Sequence, residues 1–269
     1  MGECLVKKFA LLAEARYASA VFEEELMARD CAFVWVPFGA LPSEKERDAY
    51  SGVFAFSYCK NGEVSAEVVR GWIGHPHFRV IAGESLAEMH GCFCRELNAA
   101  LGSTEIERKY LIAYPDVDAL LSSPYCTAAR LVQTYLLSEP NVTERVRKRI
   151  SGESTVYTHT IKMRRTAETA EEREEEIGKE EYETLLSRAD PARKPIDKTR
   201  LFLLDGGKYY EIDLYPFWSD RAILELETAE EVGDVVRIPE CLRLIRDVTD
   251  DVRYKNARLA DEIPYDRID

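Results

Sequence analysis

The stretch of the chain that decides its fold is Glu105-Ile106-Glu107-Arg108-Lys109-Tyr110. Glu105, Glu107 and Lys109 follow one another at every second position. Because successive side chains of a β-strand point to opposite faces, the stretch predicts a strand with one strongly polar face. One such strand is also compatible with an ordinary amphipathic strand whose charges lie in water, so the interpretation depends on the segments around it.

The same spacing recurs in five later segments, and within each of them charges of one type share a face. An ordinary sheet would mix Thr, Ser, Lys and Glu on its solvent face. Sorting of the charges strand by strand instead predicts a closed barrel with acidic and basic walls inside and apolar faces packed outward against helices. The five segments are Arg145–Arg149, Thr158–Arg164, Lys198–Arg200, Glu211–Asp213 and Glu225–Glu227.

Two segments between these strands are predicted to be helical. Val117–Leu121 is a short helix, and Lys179–Arg188 has the apolar spacing of an amphipathic helix. The acidic stretch Glu168–Glu183 leaves two interpretations open. It is either a solvated loop with a helix start, or it contains another strand with Glu172 and Glu174 facing inward.

The N-terminal part has a different pattern of hydrophobic residues. Short β-rich runs alternate with apolar helical stretches, which predicts a small N-terminal α/β domain with a largely parallel sheet. Leu101-Gly102-Ser103 is predicted to end the last helix and to form a linker, which divides the chain into domains 1–103 and 104–269. The β-rich runs are Ala32–Val36, Val53–Phe56 and Phe78–Ile81, and the helical stretches are Leu5–Ala28, Glu63–Trp72 and Glu84–Leu101.

The composition is that of a folded protein that lacks a broad basic surface. The 269 residues are 46% hydrophobic, which allows at least one sizeable core, and the formal net charge of -13 provides no global field for nucleic acid or an anionic membrane. Any phosphate-binding site is therefore a local reversal of charge. The cysteines lack the paired spacing of a zinc site, and no run is apolar enough to span a bilayer, so we expect a soluble, cytoplasmic protein with reduced thiols.

Glu105-Ile106-Glu107-Arg108-Lys109 resembles the E-x-E-x-K signature that opens the CYTH domain of the triphosphate tunnel metalloenzymes. The resemblance continues through the charged segments to Val248-Thr249-Asp250-Asp251 and to Tyr254–Ala260, which is similar to the closing segment of that family. It covers most of residues 104–269. The resemblance implies an α+β fold in which an eight-stranded antiparallel β-barrel is open as a tunnel and has flanking helices.

The resemblance also implies three groups of site residues. A triphosphate chain would lie between basic walls, with Mg²⁺ or Mn²⁺ on an acidic floor. Both ions are hard cations that prefer oxygen ligands, and Arg and Lys compensate the charge of a phosphate chain. The implied metal ligands are Glu105, Glu107, Glu225 and Glu227, the implied phosphate-binding residues are Lys109, Arg147, Arg149, Lys162, Lys198 and Arg200, and the implied catalytic residues are Glu211 and Asp213.

A second resemblance concerns the N-terminal part. Trp72–Ile81 looks like the end of the P-loop NTPase-like domain that precedes the CYTH domain in some two-domain proteins. This chain has no G-x-x-x-x-G-K-[ST], and Pro37 stands where a Walker B acid would follow the strand 33–36. We therefore expect a degenerate domain that serves packing or interaction and binds no ATP.

The histidines are secondary candidates. His75 and the nearby His77 are expected to fix a turn around a proline. His90 with Cys92 and Cys94 could form part of a metal site, although their place in a helical stretch favours packing. His159 is out of phase with Lys162 and should point away from the tunnel.

These observations predict divalent-metal-dependent hydrolysis of a linear triphosphate, with inorganic tripolyphosphate as the leading substrate. The resemblance leaves RNA 5'-triphosphatase, thiamine triphosphatase and adenylate cyclase activities open, and the net charge argues against a long RNA contact. The predicted partner is a triphosphate-containing small molecule, with nucleic acid only as a 5'-triphosphate end and no membrane. A polyphosphate-binding scaffold without turnover is the alternative from another class, and carboxylates beside a bound anion argue against it.

Overall fold

Two β-sheets form the framework of the protein. The computed structural model describes the chain except for residues 1–5, 14–19, 38, 60, 102–105, 165–169, 229–236 and 268–269. The side chains at positions 44, 106, 164, 170–172, 227 and 228 are also outside the description. The predicted domain boundary between residues 103 and 104 falls in one of these gaps and stays a prediction.

The N-terminal sheet has four parallel strands in the order β2-β1-β3-β4. This is the order of the flavodoxin-like doubly wound sheets. Its strands are β1 (Lys8–Leu12), β2 (Ala32–Val36), β3 (Gly52–Ser57) and β4 (Phe78–Ala82), and its helices are α1 (Ala20–Met27), α2 (Glu44–Asp48), α3 (Ala66–Val69) and α4 (Leu86–Leu101). The predicted α/β class and the parallel sheet are confirmed, whereas the resemblance to P-loop NTPases is not.

One predicted helix of the N-terminal part is wrong. The stretch Leu5–Ala28 contains the strand β1 before the helix α1 begins at Ala20. Phe9-Ala10-Leu11-Leu12 lies in an inner strand that is buried on both faces. Such a strand is apolar at every position, so periodicity alone cannot distinguish it from a buried helix. The predicted helix Glu84–Leu101 corresponds to α4, but of Glu63–Trp72 only α3 is α-helical.

The large sheet contains nine strands in the order β13-β5-β12-β11-β10-β6-β7-β8-β9, and all neighbours are antiparallel. The described residues of all six charged segments lie in strands of this sheet, and Glu105 is outside the description. The strands are β5 (Ile106–Ala113), β6 (Cys126–Tyr135), β7 (Val142–Ser151), β8 (Ser154–Arg164), β9 (Ala170–Ile177), β10 (Ile196–Asp205), β11 (Lys208–Leu214), β12 (Arg221–Thr228) and β13 (Leu244–Asp247).

The predicted closed, eight-stranded barrel is not what the strand pairing shows. The sheet is open, with β13 at one edge and β9 at the other. Closure of a barrel would require the free edge of β5 to pair with the far side of the sheet. That edge is occupied because β13 pairs with β5 from Leu244 to Asp247.

Helices cover one face of the large sheet. The apolar side chains of β5, β10, β11 and β12 pack on this face against α5 (Val117–Leu121), and Val146 and Ile177 pack against Tyr182 of α6 (Lys179–Leu186). Both predicted helices of this part are therefore confirmed. A 3-10 helix (Val252–Tyr254) and α7 (Asn256–Leu259) follow β13. We call the opposite face, which carries Lys109, Arg200 and Glu225, the charged face.

The N-terminal sheet packs against one end of the charged face. Its Ala10, Val53 and Phe78 form one cluster with Phe202 and Tyr209 of the large sheet. At the same contact the Gly74 amide donates to the Tyr209 hydroxyl at 2.7 Å. Gly74 has φ +103°, and a Cβ there would lie 2.9 Å from Thr127 Cγ2, so this close approach requires glycine.

A second apolar cluster packs against the other end of the charged face. Tyr135 and Ile223 of the strands, and Tyr215 directly after β11, form a cluster there with Trp218 and the C-terminal Tyr254. The charged side chains therefore lie between two apolar contacts. Among the helices of the described residues, none is long and apolar enough to span a bilayer. The six described cysteines are free thiols.

Candidate active site

Strand register brings the predicted charged residues of the described chain to one face. Lys109 pairs with Glu225, and Glu225 pairs with Glu211 on the next strand. The same alternation places the other predicted residues on this face, namely Glu107, Asp213, Lys198, Arg200, Arg147, Arg149 and Lys162. Glu227 is in register with Glu107, but its side chain is outside the described residues, and Glu105 lies entirely outside them.

Arg200 is the centre of the acidic half of this face. Its guanidinium contacts Asp213 twice at 2.7 Å, Glu225 at 2.5 Å and also Glu211. Lys198 donates to Asp213, and Lys109 donates to Glu225. Five of these residues are at most 6% exposed, so the network holds opposite charges together where water screens them little.

The network shifts the pKa values of its members in different directions. Burial opposes ionisation of Glu225, but Lys109, Arg200 and Lys198 outweigh it and hold its pKa well below the usual range. Partial desolvation together with the carboxylate of Glu225 raises the pKa of Glu107. Burial and the neighbouring Arg200 lower the pKa of Lys198 to about 8. The site therefore contains two carboxyl groups that repel one another, Glu107 and Glu225, and one lysine, Lys198, whose pKa lies close to neutral pH.

Glu107 is the member of this group that meets solvent. Its side chain is 39% exposed and lies 3.1 Å from the Lys109 ammonium, whereas the Glu225 side chain is 4% exposed. The two carboxyls share a face of adjacent strands and repel one another. A divalent cation would relieve this repulsion, and carboxylate oxygens are the donors that Mg²⁺ and Mn²⁺ prefer, so the residues fit such an ion.

The basic half of the charged face lies on β7. Arg147 donates to the neutral side chain of Gln133 at 3.3 Å, and burial together with Arg145 lowers the pKa of Arg147 to about 10. Glu174 of β9 lies 3.6 Å from Arg145 and accepts a hydrogen bond from Thr160. The acidic stretch therefore contains a strand, β9, and Glu174 points to this face, whereas the Glu172 side chain is outside the described residues.

The structure separates Arg149 from the other predicted phosphate-binding residues. Its guanidinium is 2.6 Å from Asp48 of α2 and 3.4 Å from the Gly74 carbonyl, so it is bound to the N-terminal part. Asp48 is itself buried, and although burial opposes ionisation, Arg149 and Arg47 lower its pKa. Lys162 lies at the other end of the basic half and is exposed.

Sequence reasoning did not find the neutral polar residues of this face. Gln133 is 2% exposed and donates to the Tyr135 hydroxyl, and Thr160 is 1% exposed. A pattern search based on charge cannot detect such residues. They could be found only from the alternation of side chains along a strand, because Gln133 pairs with Arg147 across β6 and β7 and so shares its face.

The histidines occupy the positions that the sequence suggested. Both ring nitrogens of the buried His75 are engaged, by the Tyr50 carbonyl at 2.9 Å and by the His77 amide at 3.0 Å, and burial lowers the pKa of His75 to about 3. It therefore fixes the turn as a neutral ring. His159 points away from the charged face and contacts Glu144 at 2.9 Å.

Comparison with known proteins gives one relative of substantial coverage. The inorganic triphosphatase of Nitrosomonas europaea is 31% identical over 164 residues, which is 60% of this chain and 99% of that protein. A crystal structure of an inorganic triphosphatase is 30% identical, with a TM-score of 0.43, and covers 60% of this chain and 97% of that chain. A protein from Pyrococcus horikoshii is 18% identical, with a TM-score of 0.35 over 47% of this chain and 80% of that one. No family model matches the chain.

Proposed function

Because this chain belongs to the family of the inorganic triphosphatase from Nitrosomonas europaea, we propose that it hydrolyses linear triphosphates, with inorganic tripolyphosphate as the leading substrate. The relative is matched over nearly its whole length, and the match covers 60% of this chain. The CYTH resemblance of residues 104–269 agrees with this family. A dependence of the reaction on Mg²⁺ or Mn²⁺ belongs to the proposal.

The main observation in support of the proposal is the environment of the Arg147 guanidinium. Arg147 is half-buried and lies beside a second arginine, and desolvation together with Arg145 lowers its pKa. A cation in this state is stabilised when an anion binds it. A triphosphate chain bound at Arg147 and Lys162 would supply such an anion. We therefore assign the basic half of the charged face to the phosphates.

The acidic half supplies the residues for a divalent cation. Glu107 and Glu225 would hold it, and the register of Glu227 opposite Glu107 adds Glu227 to the same proposal. The spacing of two in the sequence adds Glu105. When bound, such an ion polarises phosphoryl oxygens and compensates the charge of the leaving group. The cations Lys109, Arg200 and Lys198 keep Glu225 ionised, whereas the pKa of Glu107 is raised.

The two predicted catalytic residues, Glu211 and Asp213, have different roles in this proposal. Asp213 accepts two bonds from Arg200 and one from Lys198, and these cations lower its pKa against the effect of burial. A carboxylate in this state is a weak base, so we assign Asp213 to holding Lys198 and Arg200 in place. Glu211, which contacts Arg200 alone among these cations, is then the residue that orients the attacking water.

Hydrolysis then needs little covalent chemistry from the protein. Positioning of the phosphate chain and compensation of its charge supply most of the rate in phosphoryl transfer. Lys198, with a pKa of about 8, holds a proton near the reacting groups at neutral pH. It can bind a phosphate oxygen in its charged form.

A substrate panel tests the proposal. Purified protein with Mg²⁺ or Mn²⁺ is given tripolyphosphate, thiamine triphosphate, ATP and a triphosphorylated RNA, and released phosphate is measured. We expect the highest kcat/KM for tripolyphosphate. A higher value for the RNA or for thiamine triphosphate would favour those activities, and tight binding without turnover would favour a scaffold. The cytoplasmic location stays a prediction.

A further inference from the structure

We propose that Glu25, His90 and Cys94 form a second metal site, specific for a transition metal such as Zn²⁺, which joins α1 to α4 in the N-terminal part. Among the described residues, these three are the group of metal-binding side chains whose ligand atoms lie within 4.8 Å of one another. None of them belongs to the charged face. The site is independent of the triphosphatase proposal.

The helix geometry brings the three ligands together. His90 and Cys94 are four residues apart on α4, so both side chains lie on one side of that helix. Glu25 reaches the same point from α1. The His90 Nε2 atom is 3.0 Å from Glu25 Oε1 and 3.4 Å from Cys94 Sγ.

These distances are close to those of a tetrahedral zinc site. With Zn–N of about 2.0 Å, Zn–S of about 2.3 Å and Zn–O of about 2.1 Å, tetrahedral angles place the nitrogen about 3.5 Å from sulfur and about 3.3 Å from oxygen. The observed pair of distances therefore needs shifts of a few tenths of an ångström. The side chains of His90 and Glu25 are 32% and 26% exposed, so water can reach the fourth coordination position of the metal.

Hydrogen bonds can hold the three side chains together in the absence of a metal. The same nitrogen of His90 faces both the carboxylate and the sulfur, and the Cys94 thiol also interacts with Glu25. A shared cation would take the place of the thiol hydrogen and bind all three ligand atoms.

The surroundings hold the ligands in place. Arg29 binds Glu25 through the other carboxylate oxygen, Oε2, which leaves Oε1 directed at His90. The centroid of the Phe22 ring lies 6.5 Å from the centroid of the His90 imidazole. Partners of this kind orient metal ligands in many sites. The structure also revises the sequence hypothesis, because Cys92 contacts the Val80 carbonyl instead and is not a ligand.

The ligand chemistry separates this site from the charged face. Thiolate and imidazole select Zn²⁺ and Co²⁺, while carboxylates alone suit Mg²⁺ and Mn²⁺. Cobalt is a useful probe, because a Co²⁺–thiolate bond gives a charge-transfer absorption in the near ultraviolet. The carboxylates of the charged face give no such band.

The test is a titration of the purified full-length protein with Co²⁺ in the presence of excess Mg²⁺. We expect one equivalent of Co²⁺ to give the thiolate band in the wild type, in Cys92→Ser and in Glu107→Gln. Cys94→Ser and His90→Ala should lose the band, and Glu25→Gln should bind Co²⁺ roughly tenfold or more weakly. Circular dichroism of each variant identifies any loss of fold. Absence of the band in the wild type, or its persistence in folded Cys94→Ser, would overturn the proposal.

Discussion

Lys109 of β5 and Glu225 of β12 lie directly opposite one another, and the lysine ammonium donates to the carboxylate while both side chains are buried. Arg200 binds the same carboxylate at 2.5 Å. Removal of one partner of such a pair leaves the other charge buried without compensation. Substitution of Glu225 therefore changes stability and activity together. Substitution of Glu107 is the better test of function alone.

Glu107→Gln should separate activity from stability. Burial and Glu225 raise the pKa of Glu107, so its ionised form costs stability at neutral pH. Because Glu107 is a proposed metal ligand, we expect the variant to lose roughly 100-fold or more in kcat/KM on tripolyphosphate. Its melting temperature should stay equal or rise. Steady-state kinetics and thermal unfolding measure the two effects.

A matched control is Glu144→Gln, a buried carboxylate on the other face of the sheet that is bound by His159 and Arg188. This variant should lose stability and keep its kcat/KM. Equal losses of activity in the two variants would remove Glu107 from the site.

The pH profile should report Lys198. Burial and Arg200 hold its pKa at about 8, below its value of 10.5 in an unfolded chain. The charged form that binds phosphate is therefore present below pH 8 and is lost above it. We expect kcat/KM on tripolyphosphate to fall with an apparent pKa near 8, since this ratio reports the free enzyme. In Lys198→Arg this fall of kcat/KM should disappear. If kcat/KM still falls near pH 8 in that variant, another group is responsible for the pH dependence.

Arg147→Ala should impair catalysis without unfolding the protein. Removal of a charge-assisted contact to a buried phosphate costs roughly 2 to 4 kcal/mol of transition-state stabilisation, or about 30- to 1,000-fold in kcat/KM. Lys162→Ala should change kcat/KM in the same direction. The exposed Arg258, which lies 3.5 Å from Asp261, provides the control Arg258→Ala, with nearly unchanged kinetics. Equal losses in all three variants would indicate a diffuse basic surface.

The buried pair of Asp48 and Arg149 should couple the two sheets. Asp48→Asn leaves the buried Arg149 without its counter-charge, and we expect a loss of about 3 to 5 kcal/mol in the free energy of unfolding. The control is Asp197→Asn, which removes an exposed pair with Arg130 and should change stability little. Urea unfolding, followed by circular dichroism, compares the two. A small effect of Asp48→Asn would mean that the N-terminal sheet is held by its apolar contacts alone.

Much of the charged face could be predicted from alternation along the strands. Lys109, Glu211 and Arg200 share a face because side chains alternate with period two, and this holds whatever the order of the strands. The pairing of strands was not accessible in the same way. Nothing in the local pattern of Leu244–Asp247 shows that this segment takes the free edge of β5 and leaves the sheet open.

Long-range packing also limited the prediction of the site. Arg149 has the same parity as Arg147, yet its partner Asp48 lies in the N-terminal part, about a hundred residues earlier in the chain. The strand β1 was mistaken for part of a helix because inner parallel strands have no alternation. Both errors concern contacts between distant segments, which the local pattern does not contain.

The central claim is that the charged face hydrolyses tripolyphosphate with the help of a divalent cation. Phosphorus-31 NMR of tripolyphosphate incubated with the purified protein tests it most directly. With Mg²⁺ or Mn²⁺ we predict equimolar orthophosphate and pyrophosphate, and in excess chelator we predict intact substrate. Absence of cleavage with either metal, or equal cleavage in the chelator, would contradict the account.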